Sequence, residues 1–184
     1  MYSLLFLTIY VLIYYFIIYK KTKHLDLTKE TIEMFKTDFA TSFYISIFYL
    51  VLMVSLVYYV FFTNFFKLEI LDILGVFLIV FSGLIEYQGI ISLKDNYYPQ
   101  VGMEKYLVTN GIFKYIRHPI YLSGIFLGTG IIILFSKEIF IYLFIVIIIT
   151  IIYKVESEER YLLKRFKEYK KYTKKSYKLI PYIY

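Results

Sequence analysis

Five apolar runs, at residues 2–19, 39–66, 68–92, 120–135 and 139–153, leave this chain few ways to fold in water. A segment that is apolar on every side has no polar face to turn to solvent, so the solvent must itself be apolar. In a bilayer each backbone N–H and C=O has to be satisfied within the protein, which selects helices. The hydrophobic share of 60% agrees, since it exceeds that of ordinary soluble domains. The sequence therefore predicts an all-α, polytopic integral membrane protein of five transmembrane helices. It reads as a single domain over residues 1–184, with 1–92 a three-helix scaffold and 93–184 a loop, a helical hairpin and a tail.

The first run is read as a retained span: Lys20, Lys21 and Lys23 follow it, whereas a signal peptide carries its charge in front and a small-residue cleavage site behind. Residues 20–38 are polar and hold Thr28, Glu30 and Glu33 near a helix start, which predicts a loop with a short surface helix. His24 in that loop reads as solvated. The second and third runs are separated only by Lys67 and form a hairpin. Glu86 lies inside the third, where a carboxylate is either interfacial or faces a polar partner. The fourth and fifth turn at Ser136, Lys137 and Glu138, and Gly124, Gly128 and Gly130 give the fourth a small surface for close packing or a cofactor contact.

Five spans place nineteen of the 21 Lys and Arg residues on one side and only Lys67 and Lys137 on the other. The positive-inside rule then puts the N-terminus outside and the 94–119 loop and the tail in the cytoplasm. Four or six spans would split strongly basic segments between the two sides. The chain has no Cys and two His, so neither a disulfide nor a metal site is expected.

The chemistry is concentrated at residues 107–124, LVTNGIFKYIRHPIYLSG. Asn110 and Gly111 mark a turn, and Pro119 suits a first helical position because its missing N–H is not needed there. His118, before the proline, is pushed toward extended geometry and can cap the helix. Arg117 and His118 thus stand beside a helix N-terminus with unpaired N–H groups, an arrangement suited to a carboxylate or phosphate. Snorkelling of the same two residues to headgroups is the other reading.

The tail, residues 154–178, is strongly basic and carries Tyr161, Leu162, Phe166, Tyr169 and Tyr172 at three-to-four spacing, which predicts a cytoplasmic amphipathic C-terminal helix. Anionic headgroups would attract such a helix, and no nucleic-acid fold accompanies the charge. Headgroups do not account for Glu156, Glu158 and Glu159 bunched at the membrane exit. Those carboxylates call for a positive partner.

The two groups of residues together, Leu107, Val108, Gly111, Arg117, His118, Pro119 and Tyr121 with Glu158, Glu159, Leu162, Phe166, Tyr169 and Tyr172, resemble the isoprenylcysteine carboxyl methyltransferase family and its phospholipid methyltransferase relatives. The resemblance spans roughly the second half of the chain. It implies an S-adenosylmethionine-dependent membrane methyltransferase with a cytoplasmic pocket built from the Arg117-His118-Pro119 loop, the last two spans and the tail. A membrane lipid or other hydrophobic methyl acceptor would enter from the bilayer.

By matching position, Leu107, Val108, His118, Pro119, Tyr121 and Glu159 would line the cofactor site, with Gly111 and Tyr115 of the same loop. Arg117, Lys154 and Glu158 would be the catalytic set, Arg117 supporting the cofactor carboxylate or the substrate. The family's arginine five residues before the second Glu is Lys154 here, which keeps the charge and loses the bidentate fork. The family's G-P-Y becomes Gly111, Ile112 and Phe113, and its F-G-x-E-Y becomes Phe166, Lys167, Glu168 and Tyr169.

A carboxylate acceptor would need no general base, whereas an ammonium must first lose a proton, for which Glu86 and Glu158 are the candidates. Two other readings stand beside this one. A sterol reductase-type enzyme would use a nicotinamide dinucleotide phosphate, and a non-catalytic membrane protein would use the basic tail to bind anionic lipid.

Overall fold

The computed structural model describes residues 70–96, 105–135 and 138–181. The first two apolar runs, the 20–38 loop with His24, and Ser136 and Lys137 of the hairpin turn lie outside the described residues. Among the described residues four helices follow one another: α1 (Ile70–Leu93), α2 (Pro119–Phe135), α3 (Glu138–Arg165) and the short α4 (Tyr169–Thr173). The described residues between α1 and α2 include two 3₁₀ turns, Lys94–Asn96 and Gly111–Lys114. No strand forms among the described residues, and only an isolated parallel bridge joins Ile116 to Tyr177.

α1 and α3, of 24 and 28 residues, are long and apolar enough to cross a bilayer. At 1.5 Å per residue they extend ~36 and ~42 Å against a hydrocarbon core of ~30 Å. The apolar α2 has 17 residues, shorter than either. The outward faces are apolar as well: Leu74, Phe77, Phe81 and Leu84 on α1 and Ile141, Ile145, Ile149 and Ile152 on α3 are exposed. Their spacing of three to four residues makes each a stripe on one helix face, a surface made for lipid rather than water.

α1 and α2 run antiparallel in close contact because small residues meet at the seam. A Cβ on Gly130 would stand 2.8 Å from the Gly75 carbonyl oxygen, and one on Gly75 2.8 Å from Leu134 Cγ. Higher up, Ser82 Oγ donates to the Ser123 carbonyl at 2.8 Å. On the other side of α2, Gly128 leaves room for the Phe144 ring of α3. Ile79, Leu122, Leu127, Ile131, Phe140, Ile147 and Ile151 fill the space between the three helices. The threonine hydroxyls bond within their own helices, Thr129 to the Ile125 carbonyl and Thr150 to the Val146 carbonyl, both at 2.8 Å.

The structure departs from the expected tail helix. α3 runs unbroken from the hairpin to Arg165, and the chain then turns through residues 166–168 into α4. The reason is tertiary. Tyr169 donates to Glu159 Oε1 at 2.8 Å, ten residues back, where a continuous helix would have carried it ~15 Å away. Hydrogen bonding to the site overrides a helical periodicity that runs on through the break.

Candidate functional site at the start of α2

The local backbone sets the stage. Gly111 takes φ +56°, and a Cβ there would lie 2.2 Å from Ser92 Oγ, so the turn needs glycine on both counts. The predicted Asn110–Gly111 turn is therefore present and is pressed against the end of α1. Asn96, buried, holds the two ends of the intervening connector: its side chain donates to the Tyr106 carbonyl at 2.8 Å and accepts from the Lys105 N–H at 2.7 Å. After the turn, residues 115–118 pair with the C-terminal segment. Arg117 N–H donates to the Tyr177 carbonyl at 2.9 Å, His118 N–H to the Lys178 carbonyl at 3.1 Å, and Tyr177 N–H to the Tyr115 carbonyl at 2.9 Å. Pro119 opens α2, and the His118 carbonyl accepts the first helical bond, from Leu122 N–H at 3.1 Å.

This frame holds Arg117, His118 and Tyr121 against Lys154, Glu158 and Glu159 of α3. Glu159 Oε1 accepts from Arg117 Nε at 2.7 Å, from His118 Nε2 at 3.0 Å and from Tyr169 Oη at 2.8 Å. Glu158 Oε2 lies 3.2 Å from His118 Nδ1, while its Oε1 accepts from Tyr121 Oη at 2.5 Å and lies 3.8 Å from Lys154 Nζ. Lys154 is fully buried, at 0% exposure, one helical turn before Glu158. Arg117 Nη2 also reaches Glu159 Oε2, at 3.5 Å, while Nη1 donates to the Thr173 carbonyl at 3.3 Å and to the Ser176 carbonyl. Lys178 pairs with Glu156 at the rim.

His118 bonds a carboxylate through each ring nitrogen. Both nitrogens can donate only in the imidazolium form. Burial by itself would lower the pKa of His118, but the hydrogen bonds and charges of Glu158 and Glu159 outweigh it and hold the group above its ordinary 6.5. The tyrosines stay neutral. Burial, with the Glu159 charge beside it, pushes Tyr169 far above the usual phenol range, and burial pushes Tyr172 up to about 12. Tyr172 spends its proton on the Phe113 carbonyl and so ties α4 to the glycine turn.

Of the residues singled out in the sequence, Arg117, His118, Tyr121, Lys154, Glu158 and Glu159 converge in this one network, with Pro119 at its base. Val108 is buried and Leu107 half-buried in the segment before the turn, and Gly111 packs on Ser92. Tyr115 points away, 61% exposed, with Lys114 Nζ 5.6 Å from its ring centre. Glu86 is buried on the α1 face that meets α2, three residues before Gly89, where a Cβ would touch Ile120 and Pro119. Asn96, Tyr169 and Ser176 join the site without being among the residues expected to form it. Tyr169 belongs to the tail motif, while a lone Asn in a connector and a Ser whose carbonyl does the bonding leave no sequence signal.

A family model described as phospholipid methyltransferase matches residues 70–169, from the first residue of α1 to the first residue of α4. The chain belongs to the phospholipid methyltransferase family. No curated protein matches it. The match contains every member of the carboxylate network. Membership makes the chain one of a family of methyltransferases, and with the apolar α1 and α3 it makes the chain a membrane protein. Residues 170–181, which close over Arg117, lie beyond the matched region.

Proposed function

We propose that this phospholipid methyltransferase family member is an S-adenosylmethionine-dependent enzyme acting on a lipid-like or hydrophobic acceptor. The observation that carries the reading is the pairing of Glu158 and Glu159 with Arg117, His118 and Tyr121 at the polar end of an otherwise apolar helix bundle. Carboxylates and tyrosine hydroxyls are acceptors that suit a sulfonium, an ammonium and a ribose diol. Glu158, with its side chain 19% exposed against 8% for Glu159, is the carboxylate open to a ligand. Leu107, Val108, His118, Pro119 and Tyr121 would line the cofactor site, with Gly111 and Tyr115 nearer its rim.

S-adenosylmethionine supplies a methyl group on positively charged sulfur, so the transfer is a displacement that depends mainly on alignment and dryness. The chain's residues provide both. Arg117 locks the loop to the C-terminal segment, Glu159 fixes Arg117 and His118 in place, and the buried Lys154 sets a cation beside Glu158. The apolar faces of α1 and α2 keep water from the acceptor side. A carboxylate acceptor would use Lys154 for orientation; an amine acceptor would give its proton to Glu158 or to Glu86. Five spans, an external N-terminus and a cytoplasmic site complete the proposal, supported by the nineteen-to-two division of basic residues.

Membranes containing the protein, incubated with methyl-labelled S-adenosylmethionine and lipid extract, should transfer label to the organic phase. Label released as methanol by mild alkali would identify a carboxyl ester, and alkali-stable label a lipid amine. No incorporation by folded protein across lipid extracts of varied source would refute the reading.

A further inference from the structure

The C-terminal segment has two chemically distinct sides. Inward, Tyr169 bonds Glu159, Tyr172 bonds the Phe113 carbonyl, and the carbonyls of Thr173 and Ser176 receive Arg117. Outward, Lys170 and Lys171 on α4, Lys174 and Lys175 after it, and Lys164, Arg165 and Lys167 before it are all exposed. Glu168 is the single carboxylate between residues 164 and 175. Exposed Leu163, Tyr177 and Ile180 flank the cations.

The depth of this face in the bilayer follows from the site. His118, immediately before the apolar α2, bonds Glu158 and Glu159, so that turn of α3 marks the membrane edge. Lys164 is five residues further along the helix, ~8 Å higher. The headgroup layer is itself about 5–8 Å thick on each side. The cations therefore stand at the outer headgroup surface, within a screening length of ~8–10 Å of lipid phosphates. Basic residues interleaved with exposed aliphatic and aromatic side chains at that depth are the composition of an interfacial anchor.

We propose that the outward face of residues 164–175 docks on anionic headgroups of the leaflet bordering the Arg117–Glu159 network, and that this docking seats the C-terminal segment on that network. Such docking needs only the membrane setting and the geometry of the segment, whether or not the site transfers methyl groups. Each Lys or Arg near an anionic surface strengthens association about fivefold, so four lysines acting together strengthen it on the order of several hundredfold. A bound headgroup layer on the outer side limits the motions that would part Tyr169 from Glu159 and Ser176 from Arg117.

The test is hydrogen exchange of the full chain in lipid nanodiscs, one set of phosphatidylcholine alone and one of equal parts phosphatidylcholine and phosphatidylglycerol. Backbone amides of residues 166–178 should exchange at least ~10-fold more slowly in the anionic discs, and ~1 M salt should remove the difference because screening then acts within ~3 Å. The variant Lys170→Gln, Lys171→Gln, Lys174→Gln, Lys175→Gln should show the neutral-lipid rate in both discs. Its α1–α3 amides, unchanged from wild type, would certify that the variant is folded. Equal exchange in the two lipids, or a lipid effect that survives the fourfold substitution, would overturn the proposal. Slowing by a polyanion such as polyuridine in neutral discs, without slowing by anionic lipid, would also overturn it and assign the face to nucleic acid.

Discussion

Glu159 is the residue on which most of the site's bonds converge. Arg117 and Glu159 are nearly buried, with side-chain exposures of 7% and 8%, so removing one partner leaves the other charge without compensation. Glu159→Ala should cost ~3–5 kcal/mol of stability, read as a lowered unfolding midpoint in detergent, whereas Tyr169→Phe, which gives up one bond to a charged acceptor, should cost ~1.5–3 kcal/mol. Equal losses for the two would mean that Glu159 does not organise the cluster. His118 carries a pH signature. Its folded pKa lies above the ordinary 6.5, so its contribution is complete below 6.5 and is lost as pH rises through the higher folded value. The thermal midpoint should accordingly decline as pH rises above 6.5 in the wild type and stay flatter in His118→Asn. A wild-type profile no steeper than the variant's would mean that His118 is neutral in the fold. The sequence made Arg117, His118 and the two glutamates visible as candidates because charges at a membrane edge stand out against apolar runs. It did not reveal that the positive pair beside the helix N-terminus is matched by the chain's own carboxylates, since that depends on how α2 and α3 pack.

At the scale of elements, the apolar runs predicted α1 and α2 to within two residues of their observed starts, because a helix is the local solution for such a run in lipid. The tail was legible as amphipathic but not as broken. No Gly or Pro marks residues 166–168, and the break exists because Tyr169 and Tyr172 bond backward to Glu159 and Phe113. The glycine turn makes a sharper prediction. Gly111→Ala should destabilise by ~2 kcal/mol through the left-handed backbone alone, with a further clash against Ser92 Oγ at 2.2 Å. Adding Ser92→Ala should recover only the clash. Full recovery in the double variant would show that the positive φ costs nothing, contrary to this account.

For the molecule as a whole, the composition and the apolar runs indicated a membrane protein, and the family match agrees. Orientation rests on charge distribution alone, and the chain lends itself to a direct check because it contains no cysteine. Single substitutions Lys137→Cys and Lys174→Cys should label from opposite faces of sealed vesicles with an impermeant maleimide. Labelling from one face would contradict the five-span arrangement. The central claim, that the Glu158–Glu159 network forms the cofactor site, is tested most directly by calorimetric titration of the detergent-purified protein with S-adenosylhomocysteine, with Glu158→Gln and the nicotinamide cofactor NADPH alongside. The wild type should bind saturably, Glu158→Gln should bind at least ~10-fold more weakly, as loss of a charged hydrogen-bonding partner implies, and NADPH should not bind. Binding of NADPH alone, or S-adenosylhomocysteine binding untouched by the substitution in protein that remains folded, would contradict the claim.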